Sequence, residues 1–183
     1  NFMEPKKQIM VSRSFGRSIA SKKILSEAIS FHASRAAEKL RHESQKCRII
    51  TAFIRSNRFN NNIKQIYASR HIELAYPTDD SRIIIKNANQ ILNSVFMDGY
   101  QYSKAGVLLS DFTKSYGYQM SLFDKNIDSK SSRELMRTVD HINMMEIARI
   151  GFGNQGFINT RRMKRQIKSK RYTTKVEELP EVS

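Results

Sequence analysis

This chain of 183 residues carries 32 Lys and Arg against 17 Asp and Glu, a net +15. That is far beyond the net charge of about 2–8 that solubility asks of a small domain, and it points to a polyanionic partner, nucleic acid before membrane. A single cysteine, Cys47, excludes an internal disulfide framework and a cysteine-built zinc site, and no apolar run approaches the roughly 20 residues that span a bilayer.

Ile9 to Phe15 alternates in hydropathy and predicts a short strand that Gly16 ends. From Ser21 the period lengthens. Leu25, Ile29, His32, Ala36 and Leu40 recur every three or four residues, which predicts an amphipathic helix to about Glu43. Cys47 to Arg55 is β-branched and apolar, hence a strand. Asn57 to Lys64, with four asparagines, predicts a loop. Ser69 to Tyr76 alternates again, with Ile72, Leu74 and Tyr76 on one face and Ser69, His71 and Glu73 on the other.

Pro77-Thr78-Asp79-Asp80 predicts a helix start, with Thr78 accepting from the first free amides and the aspartates at the positive end of the helix dipole. The stripe Ile84, Ala88, Ile91, Leu92, Val95 and Phe96 then runs to a stop near Gly99. Tyr102 to Phe112 predicts the last strand. Ser103, Ala105, Val107 and Leu109 share one face; Tyr102, Lys104, Gly106 and Leu108 share the other.

Strand, helix, strand, strand, helix, strand is the split βαβ order. It predicts an α+β fold, a four-stranded antiparallel sheet with two helices on one face and the other face open. Beyond Phe112, residues 114–130 read as a linker. Glu134 to Ile147 predicts a helix with Leu135, Val139, Ile142 and Met145 inward, and Arg161 to Lys175 holds eight basic residues and no acid. The expected organisation is an upstream linker over 1–8, the sheet domain over 9–113, the linker over 114–130 and a small basic appendage over 131–183. Residues 1–60 hold 13 basic and 4 acidic residues, residues 61–124 six of each, and residues 125–183 13 and 7. Two basic ends around a neutral middle suggest two binding surfaces, or one completed by both ends.

The candidate contacts are short motifs. Arg13 supplies charge, Ser14 a hydroxyl, Gly16 close backbone approach and Arg17 further charge, as a phosphate requires. A strand end and turn would explain the same residues. Lys104 beside Gly106 repeats the pattern from the last strand, where a solvated lysine is the plain alternative. The two sets form one cationic face only if Arg13 and Lys104 project together. Gln119, Met120, Leu122 and Phe123 lie in the linker and could dock as an extended peptide or fold back on the protein's own core.

Capping explains Asp79 and Asp80 better than metal binding, and the four histidines lack ligand spacing. No nucleophile–base pair, carboxylate pair or phosphate-cradling glycine loop stands out, so no catalytic residue, metal or cofactor is expected in this segment. A stand-alone RNA-binding or regulatory α/β module is the rival reading. Against it, the expected open face offers Tyr102 but no paired aromatics. A peripheral membrane protein would need a basic amphipathic helix with large aromatics, which is not found.

Several segments together carry a resemblance: SRSFG (12–16), RAAEKLR (35–41), PTDDSR (77–82), DGYQYSKAG (98–106), LSDF (109–112), QMSLFD (119–124) and MKR…YTT…ELP (163–180). In this order the chain resembles the C-terminal part of the UmuC-type subunits of bacterial DNA polymerase V, Y-family translesion polymerases. The resemblance implies that residues 9–113 are a little finger domain holding primer–template DNA through Arg13, Ser14, Gly16, Arg17, Lys104 and Gly106. It implies that Gln119, Met120, Leu122 and Phe123 bind the β sliding clamp, with Met120 in place of the commoner leucine. The polymerase carboxylates and their magnesium ions would lie upstream, in a bacterial cytoplasmic enzyme of the SOS response. The resemblance leaves room for a UmuD-type subunit and RecA as further partners. A tryptophan common near position 161 in this family is Arg161 here.

Overall fold

The computed structural model describes residues 6–114, 130–145 and 150–156. Four strands, β1 (Gln8–Ile19), β2 (Gln45–Arg55), β3 (Tyr67–Thr78) and β4 (Tyr102–Lys114), form one antiparallel sheet in the order β1-β4-β2-β3. Helices α1 (Lys22–His42) and α2 (Ser81–Val95) pack on one face of it. The α+β arrangement expected from the sequence is the one observed.

Each helix forms where its apolar stripe meets the sheet. In α1 the predicted positions Leu25, Ile29, His32, Ala36 and Leu40 are all buried, joined by Ala28, Ala33 and Ala37. In α2, Ile84, Ile85, Ala88, Ile91 and Leu92 face the same core. Each fully buried leucine or isoleucine contributes about 1.5–3 kcal/mol of transfer free energy. The helices are also bridged by Asn89, whose Oδ1 accepts from Ser26 Oγ at 2.6 Å and whose Nδ2 donates to Ser30 Oγ at 2.7 Å.

Three local expectations change. Gly16 does not end β1; the pairing with β4 shifts register between Ser14 and Ile19, and the strand resumes with Ile19 opposite Tyr102. A glycine inside a strand commonly marks such an irregularity. The cap of α2 is Asp80, whose carboxylate accepts from the Arg82 amide at 2.7 Å, while Thr78 closes β3 and accepts from the Asp80 amide. The third helix, α3, spans Lys130–Met144 and starts four residues before its expected beginning. Its phase differs accordingly: Ser132, Met136 and Val139 are buried, whereas Leu135 and Met145 are exposed.

That phase is fixed by polar anchors. Asp140 accepts two hydrogen bonds from Arg41, at 2.6 and 2.7 Å, and Arg41 also donates to the Asp79 carbonyl and to Ser81 Oγ. Ser132 donates to Asp80 at 2.6 Å. α3 is thereby fastened to the end of α1 and the start of α2. Phe152 packs on the core, and a short 3-10 turn, Gly153–Gln155, follows it.

Candidate nucleic-acid interface

Which side chains share the uncovered face follows from strand register, because residues directly opposite on antiparallel neighbours project to the same side. The helix-covered side collects the rows Ile9–Leu109–Ile50–Ile72, Val11–Val107–Ala52–Arg70 and Arg13–Ala105–Ile54–Ala68. Leu109, Val107, Ala105, Ile50 and Ile54 are fully buried there. The open side collects Gln8–Ser110–Ile49–Glu73, Met10–Leu108–Thr51–His71, Ser12–Gly106–Phe53–Ser69 and Ser14–Lys104–Arg55–Tyr67.

The register separates the two basic motifs. Arg13 stands opposite Ala105, between Val11 and Phe15, which both pack on the core. Its place is therefore the helix-covered side, at the exposed edge of the sheet. Lys104 stands on the open side, opposite Ser14 on one flank and Arg55 on the other. The expectation that Arg13 and Lys104 project together is overturned by simple strand parity. Arg17 is exposed and lies within the register shift between Ser14 and Ile19, where strand parity assigns it to neither side.

Gly106 also plays a different part from the one expected. A Cβ built there would lie 2.5 Å from Phe53 Cζ and 2.5 Å from Ser12 Cβ. The space above this glycine is filled by the Phe53 ring, so the missing side chain serves packing instead of phosphate approach. Tyr102 is likewise absent from the open face. It is fully buried, its ring 5.7 Å from Phe96, and its hydroxyl donates to the Met97 carbonyl and accepts from the Met97 amide.

What the open face does carry is an aromatic pair and a cation pair. The Phe53 and Tyr67 ring centroids lie 6.2 Å apart; Phe53 is nearly buried and Tyr67 is 68% exposed. Arg55 and Lys104 face one another on neighbouring strands. Like charges so placed destabilise a sheet, and among the described residues neither has an acidic partner within ion-pair distance. By contrast Arg48 pairs with Glu73 at 3.1 Å. A cation pair kept against its own repulsion, beside the hydroxyls of Ser14 and Ser12, is suited to hold an anion.

Away from this face, Asp80 feels opposing influences. Burial would raise its pKa, but hydrogen bonds from Arg82, Ser132 and the Arg82 amide outweigh this and hold it below the usual carboxylate range. Burial pushes the Cys47 thiol up to about 12, which leaves it an inert core residue. Among the described residues no group of three or more His, Cys, Asp or Glu is placed to hold a metal ion, and no helix is long and apolar enough to cross a membrane. The predicted peptide at Gln119, Met120, Leu122 and Phe123 and the basic run from Arg161 lie outside the described residues.

Residues 6–122 match the family model of the impB/mucB/samB family C-terminal domain, which covers all four strands and both packed helices. The chain belongs to this family. Residues 133–182 match a second model, described only as a domain of unknown function, which begins within α3. Among curated relatives, Protein ImpB of Salmonella typhimurium is 43% identical over 96% of this chain, and Protein UmuC of the same species is 38% identical over 97%. Protein MucB of Escherichia coli is 40% identical over 96%. The chain spans about two fifths of the length of each of these relatives. A solved complex of β-clamp processivity factor and the little finger domain of PolIV aligns with 64% of this chain and 99% of that one, at 12% identity and a TM-score of 0.43.

On the open face of this sheet the structure adds three residues that the sequence did not single out, Arg55 beside Lys104 and the ring pair Phe53 and Tyr67. Arg55 and Phe53 were hidden in an apolar run, although their parity against Ile54 and Ala52 was visible. Tyr67 lies two residues before the predicted start of its strand.

Proposed function

We propose that this chain is the DNA-gripping little finger and C-terminal region of an error-prone, Y-family translesion DNA polymerase of the UmuC type. The open sheet face holds primer–template DNA by its phosphates, without reading sequence. The observation that carries this reading is the Lys104–Arg55 pair, two cations directly opposite on adjacent strands with no acidic partner among the described residues. Ser14 and Ser12 add hydroxyl donors on the same face. Arg13 and Arg17 contribute from the strand edge, as an electrostatic rim and not as part of the grip.

The segment Gln119, Met120, Leu122 and Phe123 binds the β sliding clamp, Leu122 and Phe123 seating in an apolar pocket and Gln119 bonding at the rim. The parent enzyme is a nucleotidyltransferase whose carboxylates and magnesium ions belong to the part of the relatives that this chain does not span. It works in the bacterial cytoplasm during SOS mutagenesis, where a UmuD-type subunit and RecA would be its further partners.

Binding of a labelled primer–template duplex tests the face assignment. Lys104→Ala with Arg55→Ala should weaken affinity to a similar degree on every sequence, and Arg13→Ala should weaken it less. Equal loss for Arg13→Ala would assign the grip to the edge of the sheet and refute the open face as its seat.

A further inference from the structure

A phosphate grip has no use for Tyr67, which stands 68% exposed in the most cationic row of the sheet. A lone exposed aromatic is ordinary on a protein surface. This one is supported and surrounded. Phe53 lies beside it at 6.2 Å, nearly buried and seated over Gly106, and so fixes the floor of the site. Arg55 stands directly opposite Tyr67 in register.

The ring also borders a concavity of about 440 Å³ at the mouth of the β2–β3 hairpin, lined by Arg55, Ser56, Arg58, Gln65, Ile66 and Tyr67. That volume falls within the range of ligand clefts. Its wall is pre-shaped by the asparagine-rich loop. Gln65 Nε2 donates to the carbonyls of Asn57 and Asn60 at 3.0 and 2.8 Å, and the side chains of Asn57 and Asn60 accept from the amides of Phe59 and Asn62. An aromatic platform that shares a concavity with two arginines is complementary to a nucleotide, which has a flat π-face and a negative phosphate on either side.

We propose that this hairpin mouth is a subsite for one unpaired base of a DNA strand, stacked on Tyr67 with its flanking phosphates on Arg55 and Arg58. The inference rests on the reading of this face as the DNA-binding one and adds a second mode to it. Duplex is held by its backbone on the sheet, and a displaced or single-stranded nucleotide is held by stacking at the sheet's end. Stacking is tolerant of sequence, because every base offers a π-face.

The test compares a labelled oligodeoxythymidylate with a blunt duplex of equal length, both titrated against the 183-residue chain. Tyr67→Ala should lower single-strand affinity roughly tenfold while Tyr67→Phe preserves it and blunt-duplex affinity stays unchanged. Unaltered single-strand binding in Tyr67→Ala would overturn the proposal, as would an equal loss on single strand and duplex, or a Tyr67→Phe loss as large as that of alanine. Failure of the phosphate grip reads differently: Lys104→Ala would then leave blunt-duplex affinity intact whatever Tyr67 does.

Discussion

Substituting Gly106 by alanine separates packing from ligand approach. The new Cβ would sit 2.5 Å from Phe53 Cζ, 2.7 Å from Phe53 Cε1 and 2.5 Å from Ser12 Cβ. The Ser12 atom is fixed by the paired backbone of β1, and the Phe53 ring is nearly buried against its neighbours. The Ser12 atom cannot yield without displacing β1. Overpacking of this kind costs about 1–3 kcal/mol. Alanine gives back about 0.4–1 kcal/mol by restricting the unfolded chain. The net centres on a destabilisation of about 1.3 kcal/mol, or a fall in Tm of about 3–5 °C for a chain of this size. Urea and thermal unfolding of Gly106→Ala read it directly. In a Phe53→Leu background, where the ring tip is gone, the same substitution should cost less, and the double-mutant cycle measures the difference. A neutral or stabilising Gly106→Ala that weakens DNA binding would refute the packing argument and restore Gly106 as a point of phosphate approach.

The docking of α3 makes a second prediction. Arg41→Ala removes both bonds to Asp140 and those to Asp79 and Ser81, and should destabilise the protein by about 3 kcal/mol in urea unfolding, because it leaves a carboxylate poorly compensated. Acidification acts on the same junction through Asp80. Its folded pKa is depressed, so its contribution is fully present above the ordinary carboxylate value near 4 and is lost as pH falls through the lower folded value. The urea midpoint of the native chain should therefore fall more steeply than that of Asp80→Asn below about pH 4. For the proposed clamp-binding segment, Leu122→Ala with Phe123→Ala should abolish β-clamp binding in calorimetry, and undiminished affinity would remove that assignment.

The fold was readable because each element's period and length are strong local signals. Leu25, Ile29, Ala36 and Leu40 mark α1 with one stripe, and the alternation of Val107 and Leu109 with Gly106 and Leu108 marks β4. The interface was less readable because it is a property of register. A sequence shows that Arg13 and Lys104 each alternate with apolar residues; it does not show which β1 residue stands opposite which residue of β4. Even so, the odd positions Ile9, Val11 and Phe15 are the apolar ones, and that parity already assigns Arg13 to the covered side. Arg55 ends a run so apolar that it reads as core, and its meeting with Lys104 needs β2 placed beside β4, a non-local pairing. The phase of α3 was hidden for the same reason: Arg41 and Asp140 are 99 residues apart, and their pairing turns Leu135 outward.

The salt dependence of duplex binding tests most directly whether the open face grips DNA by its phosphates. Removing one phosphate-binding cation should reduce the slope of log affinity against log salt by about 0.9. For the pair Arg55→Ala and Lys104→Ala the expected slope is shallower by about 1.8, with equal effect on unrelated sequences. A slope identical to that of the unsubstituted chain would contradict the grip.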